Sequence, residues 1–136
     1  MYSLDGLTAL VTGSGSPAGI GFATARLLGK IGATVAVTST TLRIRERAKE
    51  LRHTGMVATG HVADLTDATA RQALVDEVLR QHGHVDVLVN NAGMSQLGSP
   101  EITGEFASLS DKDWRAALDR NLLTAVGLTR ALLPAM

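Results

Sequence analysis

Between residues 12 and 21 the chain reads Thr12-Gly13-Ser14-Gly15-Ser16-Pro17-Ala18-Gly19-Ile20-Gly21, and this run limits the possible folds more than any other. Before it stands Leu7-Thr8-Ala9-Leu10-Val11-Thr12, nearly continuous in apolar character, as expected of a strand covered on both faces. After it, Ile20, Ala23, Leu27, Leu28 and Ile31 recur at helical spacing until Gly32. A strand that enters a helix through glycines can bend sharply and let another group approach its backbone. The helix N-terminus then faces outward with free N–H groups and the positive end of its dipole, which suits a phosphate. The strand–turn–helix context favours a dinucleotide pyrophosphate site over glycines that serve chain geometry alone.

The rest of the chain repeats the alternation of short β-branched runs and helical stretches that marks an α/β domain with a parallel sheet. Val35-Ala36-Val37 forms the core of a second strand, and residues from about Leu42 to His53 read as a helix with a basic outer face, ended by Gly55. A third strand is expected over Met56 to Val62. A helix follows from about Asp67 to Gln81, with Leu74, Val75, Val78 and Leu79 as its buried stripe and Gly83 at its end. Val85-Asp86-Val87-Leu88-Val89 is a fourth strand, and Ser95 to Ser110 a polar loop. Ser110 and Asp113 have the spacing of a capping box for a last helix carrying Trp114, Leu118, Leu122 and Val126. Right-handed crossovers give the strand order 3-2-1-4, the start of a doubly wound, Rossmann-like sheet in one domain spanning residues 1–136. On this reading the sequence stops inside or just after the helix that follows strand 4, so strand 4 is a bare edge and the last helix lacks a partner on one face.

Lys plus Arg and Asp plus Glu are both 13, so no broad attraction to nucleic acid or an anionic membrane is expected. A nucleic-acid module has only the basic helix from Arg43 to Arg52 in its favour, against neutral charge and few aromatic residues. Cysteine is absent, in keeping with a reducing cytoplasm, and neither a secretory signal nor a membrane-spanning stretch is evident. His82 and His84 straddle a helix-ending glycine without further ligands and read as solvent-facing, so no metal site is expected. Trp114 reads as a packing residue.

Cofactor choice turns on the end of strand 2. An acid there would favour NAD, but Thr38-Ser39-Thr40-Thr41-Leu42-Arg43 offers hydroxyls and a guanidinium, and the first acid is Glu46. Ser39, Thr40 and Arg43 therefore suit the 2′-phosphate of NADP, with NAD still possible. For Arg43 a solvated helix face remains the alternative, and for Arg45 and Arg47 it is the better reading.

The glycine turn together with Asn90-Asn91-Ala92-Gly93 resembles the short-chain dehydrogenase/reductase family, especially its 3-oxoacyl-[acyl-carrier-protein] reductase-type members. The family pattern Thr-Gly-x-x-x-Gly-x-Gly is two residues longer here. Gly13, Gly19, Ile20 and Gly21 take the matching positions, with Ser14, Gly15 and Ser16 as a widened loop. The resemblance implies that Asp64 and Leu65, after strand 3, lie beside the adenine. It implies that Asn90 ties adjacent strands through its amide while Ala92 and Gly93 line the cofactor ribose, and that Asn121 holds a water in the catalytic proton relay. A helix cap is the alternative for Asp64, and capping is the better reading for its neighbours Thr66 and Asp67.

The implied activity is hydride transfer between NADP(H) and a small carbonyl or alcohol substrate, with a 3-oxoacyl thioester as the substrate suggested, in a protein that forms homo-oligomers at full length. The family's Tyr-x-x-x-Lys element is missing, for the sole tyrosine is Tyr2. Two readings follow: the cofactor-binding half of a reductase, inactive by itself, or a non-catalytic remnant that binds nucleotide or another chain.

Overall fold

A computed structural model describes residues 2–93 and 104–136. Four parallel strands, β1 (Thr8–Val11), β2 (Thr34–Ser39), β3 (Ala58–Val62) and β4 (Val87–Val89), lie in the order β3-β2-β1-β4. The order is the one expected, and β4 is an edge among the described residues. The register sets Leu10 opposite Ala36 and Leu88, which aligns the carboxyl ends of β2, β1 and β4.

Successive strand residues point to opposite faces, so each strand feeds two cores. On one face Ala9, Val11, Val35 and Val37 meet Phe22 and Ala25 of α1 (Ile20–Lys30) and Ile44, Ala48 and Leu51 of α2 (Arg43–His53). On the other, Leu10 and Ala36 meet Leu74, Val75 and Val78 of α3 (Ala68–His82) and Leu128 and Leu132 of α5 (Thr124–Leu132). Burial of each large aliphatic side chain contributes about 1.5–3 kcal/mol.

Local signals explain the helix ends. Asp67 caps α3 by accepting from Ala70 N at 2.7 Å, and Gly83 ends it at a φ of 82°. Ser110 and Asp113 form the expected capping box at the start of α4 (Asp111–Leu118). A π-helical segment, Asp119–Leu123, joins α4 to α5. The polar loop expected over Ser95 to Ser110 lies largely outside the described residues; its later part carries a short 3₁₀ turn, Phe106–Ser108.

Three packing expectations require correction. In α1 the buried residues are Gly21, Phe22 and Ala25, whereas Ile20 and Leu27 are exposed. The helix packs Phe22 and Ala25 into the core, and Gly21 lets its N-terminus approach the glycine turn. In the last helical stretch the buried residues are Thr124, Leu128 and Leu132; Trp114, Leu118, Leu122 and Val126 are exposed, as a helix face without a partner would be. Trp114 does pack on Phe106, with ring centroids 5.2 Å apart. Arg47 is not a solvated residue: it is largely buried, stands over the Phe22 ring at 5.6 Å and pairs with Glu50.

Candidate functional site: a cleft at the carboxyl ends of the strands

The order of the strands reverses between β1 and β4, and the chain leaves both strands in opposite directions there. This opens a crevice at their carboxyl ends, the usual ligand position in doubly wound sheets. A cleft of about 240 Å³ occupies this place. Its walls include Gly13, Gly15 and Ser16 from the turn after β1, Ser39, Thr40 and Arg43 after β2, Asp64 and Leu65 after β3, and Ala92 and Gly93 after β4. Four separate loops of the sequence reading thus converge on one cavity.

The glycine turn is fixed by what touches it. Gly13 has a φ of 68°, and a Cβ there would come within 2.8 Å of Asn91 Nδ2 and 2.9 Å of Ala92 Cα. A Cβ on Gly21 would lie 2.5 Å from Asn91 Nδ2 and 2.7 Å from Gly13 O. The start of α1 is therefore pressed against the turn and against the loop after β4. Gly19 occupies the N-cap position of α1 in extended conformation, with no side-chain cap, which leaves the helix N-terminus to other partners.

Several expected residues do not face the cleft. Ser14 is fully buried; its hydroxyl donates to Val11 O at 3.2 Å and its N–H to Thr38 O at 3.0 Å, so its side chain closes the turn from inside. Gly19, Ile20 and Gly21 stand outside the cavity wall, as do Asn90 and Asn121. Nor does Asn90 tie the strands: its amide donates to Thr129 Oγ1 on α5 at 3.1 Å. The tie is made one residue later. Asn91 Nδ2 donates to Thr12 O at 3.0 Å and Gly13 O at 3.2 Å, and Thr12 Oγ1 accepts from Asn91 N and Ala92 N. A strand's side chains alternate in direction, so the residue that turns back toward β1 is set by where β4 ends, at Val89.

Asn121 lies in the π-helical segment, where its Nδ2 donates to Ala117 O at 3.0 Å. A Cβ on Gly93 would come within 2.8 Å of Asn121 Oδ1, so the helix brings Asn121 up to the loop after β4. Asp64 Oδ1 accepts from both the hydroxyl and the N–H of Thr66, and these bonds hold its carboxyl below the usual carboxylate range. Asp67, not Asp64, is the helix cap.

Thr38, Thr41, Ala63, Thr66, Arg120 and Thr124 also line the cleft and were not foreseen. Thr41 and Thr66 flank residues that were, so a wider window would have included them. Arg120 had no local signal, because the helix carrying it reaches the cleft only through tertiary packing. Arg71 was missed for the same reason; its guanidinium donates to Leu65 O at 2.6 Å and anchors the loop after β3.

Of the two histidines read as solvent-facing, His82 departs from expectation. His82 is half-buried, its Nε2 2.8 Å from Thr59 Oγ1, and that hydroxyl also meets His61 Nε2 at 2.9 Å. His84 is exposed and near Asp86. Among the described residues no cluster of three metal-ligating side chains occurs, and no helix is long and apolar enough to cross a membrane.

The charges and hydroxyls of this cleft fit a nicotinamide dinucleotide: glycines at the turn, hydroxyls and Arg43 at the end of β2, and the Asp64 carboxylate after β3.

Comparison with known proteins agrees with this geometry. The family description for short-chain dehydrogenases matches residues 7–136. A Streptomyces virginiae protein, provisionally named as the ketoacyl reductase of the monensin polyketide synthase, is 40% identical over 126 residues, covering 92% of this chain and 45% of its own length. Oxidoreductase UcpA of Escherichia coli K12 is 35% identical, covering 100% of this chain and 49% of its own. Among solved structures, a metagenomic short-chain oxidoreductase in complex with NADP superposes with a TM-score of 0.83 at 38% identity, over 99% of this chain and 58% of that one. A variant of actinorhodin polyketide ketoreductase with NADPH gives 0.85 at 38%, over 99% and 49%. The chain spans about half the length of the curated relatives it matches. The chain belongs to the short-chain dehydrogenase/reductase family.

Proposed function

We propose that residues 1–136 form the dinucleotide-binding half of an NADP(H)-preferring carbonyl reductase, folded as one Rossmann-type domain. The observation that carries this reading is the convergence of the four loops on a cleft where the strand order reverses. Bound there, the nicotinamide would supply or accept a hydride. Gly13 and Gly15 would let the backbone come close to the pyrophosphate, and Gly19, its own N–H held by Ser16 O, would leave room to reach the free N–H groups of Ile20 and Gly21. Ser16, Ser39, Thr40 and Arg43 take the 2′-phosphate, while NAD would leave these groups unused. Asp64 and Leu65 meet the adenine, and Ala92 and Gly93 leave room for the ribose. Asn90 would support this loop through Thr129 of α5, and Asn121 would hold a water in the proton relay.

The substrate we assign is a carbonyl of the 3-oxoacyl thioester class, supported by the ketoacyl reductases among the relatives. The exposed apolar face of Trp114, Leu118 and Leu122 supports association with further protein, a homo-oligomer in the full-length form. The cysteine-free sequence suits the cytoplasm.

A second reading, a nucleotide-binding product without catalysis, is favoured by one observation. Tyr2, the sole tyrosine, is fully exposed near the chain start, so the family's proton donor has no counterpart in these residues. Calorimetric titration with NADPH and NADH tests both. Tighter binding of NADPH supports the cofactor assignment, and no binding, or tighter NADH, overturns it. Carbonyl reduction by the 136 residues alone would overturn the expectation that they are inactive.

A further inference from the structure

Among the described residues three charged side chains line the cleft, Arg43, Asp64 and Arg120, and the two cations differ in their surroundings. Arg43 is exposed, beside the hydroxyls of Ser39, Thr40 and Thr41, and its Nε lies 3.4 Å from Thr41 Oγ1. Arg120 projects from the π-helical segment on the opposite side of the sequence, is half-buried, and its guanidinium makes no hydrogen bond or ion pair among the described residues. It is close enough to Asp64 for their charges to interact, yet forms no ion pair with it.

A half-buried guanidinium at a cleft wall that no described residue pairs with is suited to a ligand. An anion there would also stand within reach of the Asp64 carboxylate and be repelled by it. A neutral aromatic base meets no such conflict: its exocyclic amine can donate to Asp64 while its face lies against the guanidinium plane. The carboxylate-free wall at Arg43 is left for the phosphate.

We propose that Arg120 is a specificity-determining residue of the cleft, stacking on the adenine opposite Asp64 and selecting a planar base without regard to the 2′-phosphate. This rests on the cofactor reading above. In calorimetric titrations Arg120→Gln should weaken NADPH, NADH and adenosine monophosphate by a common factor of about three to ten. Arg120→Lys, which keeps charge but not the plane, should recover only part of the loss, and nicotinamide mononucleotide should be unaffected. A loss confined to NADPH would make Arg120 a phosphate ligand and overturn the proposal. Unchanged binding in Arg120→Gln, with the parent binding normally, would overturn it while sparing the cofactor reading. If the parent chain binds neither dinucleotide, both fall.

Discussion

The Asn91 carboxamide donates to the carbonyls of Thr12 and Gly13 at 3.0 and 3.2 Å, and the Thr12 hydroxyl accepts the Asn91 and Ala92 N–H groups in return. Two residues 79 positions apart in sequence thus satisfy each other's backbone at the point where β1 and β4 diverge. The knot sets the width of the crevice on which the cleft is built.

Removing this amide should be costly where removing its neighbour's is not. Asn91→Ala leaves two part-buried carbonyls unpaired, and a loss of about 2–4 kcal/mol is expected. Asn90→Ala gives up one exposed bond to Thr129, worth no more than about 1 kcal/mol. Urea denaturation midpoints of the two variants check the ranking; equal losses would refute the assignment of the tie to Asn91.

The glycines divide in the same way. Gly21→Ala puts a Cβ against the backbone of Gly13 and the Asn91 amide, neither free to withdraw, and about 1–3 kcal/mol of overpacking follows. A Cβ on Gly19 would meet Ser16 Cβ at 3.1 Å, and Ser16 is exposed and can yield. Gly19→Val should therefore fold and yet weaken NADPH by at least about tenfold through crowding at the helix N-terminus. Binding unchanged in a folded Gly19→Val protein would remove the pyrophosphate from this position.

What could be read in advance was local. Strand order followed from alternating patterns and handedness, and the Ser110–Asp113 box and the caps at Asp67 and Gly83 follow from chemistry within a few residues. What could not be read depends on direction. Nothing in Asn90-Asn91 says which amide turns back toward Thr12, since that depends on β4 ending at Val89. Ile20 and Leu27 fit an apolar period but point outward, because the close approach of Gly21 to Gly13 fixes the rotation of α1. Nothing in the widened loop Ser14-Gly15-Ser16 says that the Ser14 hydroxyl turns inward onto Val11 O. Arg120 comes to the cleft only through the packing of α5 on α3.

Acid should loosen the outer edge of the sheet. The Thr59 hydroxyl bridges His61 and His82, so protonating both rings sets two positive charges close together in a part-buried place. Burial lowers the basicity of both histidines below the ordinary 6.5; the nearby Glu77 opposes this at His61, and His84 adds to it at His82. A lowered folded pKa means the unfolded chain takes up protons first. The stabilising contribution is complete above 6.5 and is lost as pH falls through the lowered values. Urea midpoints should drop between pH 7.5 and 5.5, and His82→Gln should flatten that slope. A parent midpoint constant across this range would remove the histidine pair from the stability balance.

Arg43 decides between the two forms of the cofactor. Among the described residues its wall carries hydroxyls from Ser39, Thr40 and Thr41 and no carboxylate, so a 2′-phosphate meets groups able to donate to it. The side chain is exposed and held by a single long contact to Thr41, leaving its fork free to close on an anion at little structural cost. Arg43→Ala should leave the fold intact and weaken NADPH by about tenfold, the loss of one charge-assisted contact of roughly 1.5 kcal/mol, with NADH unaltered. Added salt should narrow the gap between parent and variant, because the contact is at the surface. Equal weakening of both dinucleotides would instead show that Arg43 acts on a part of the ligand they share.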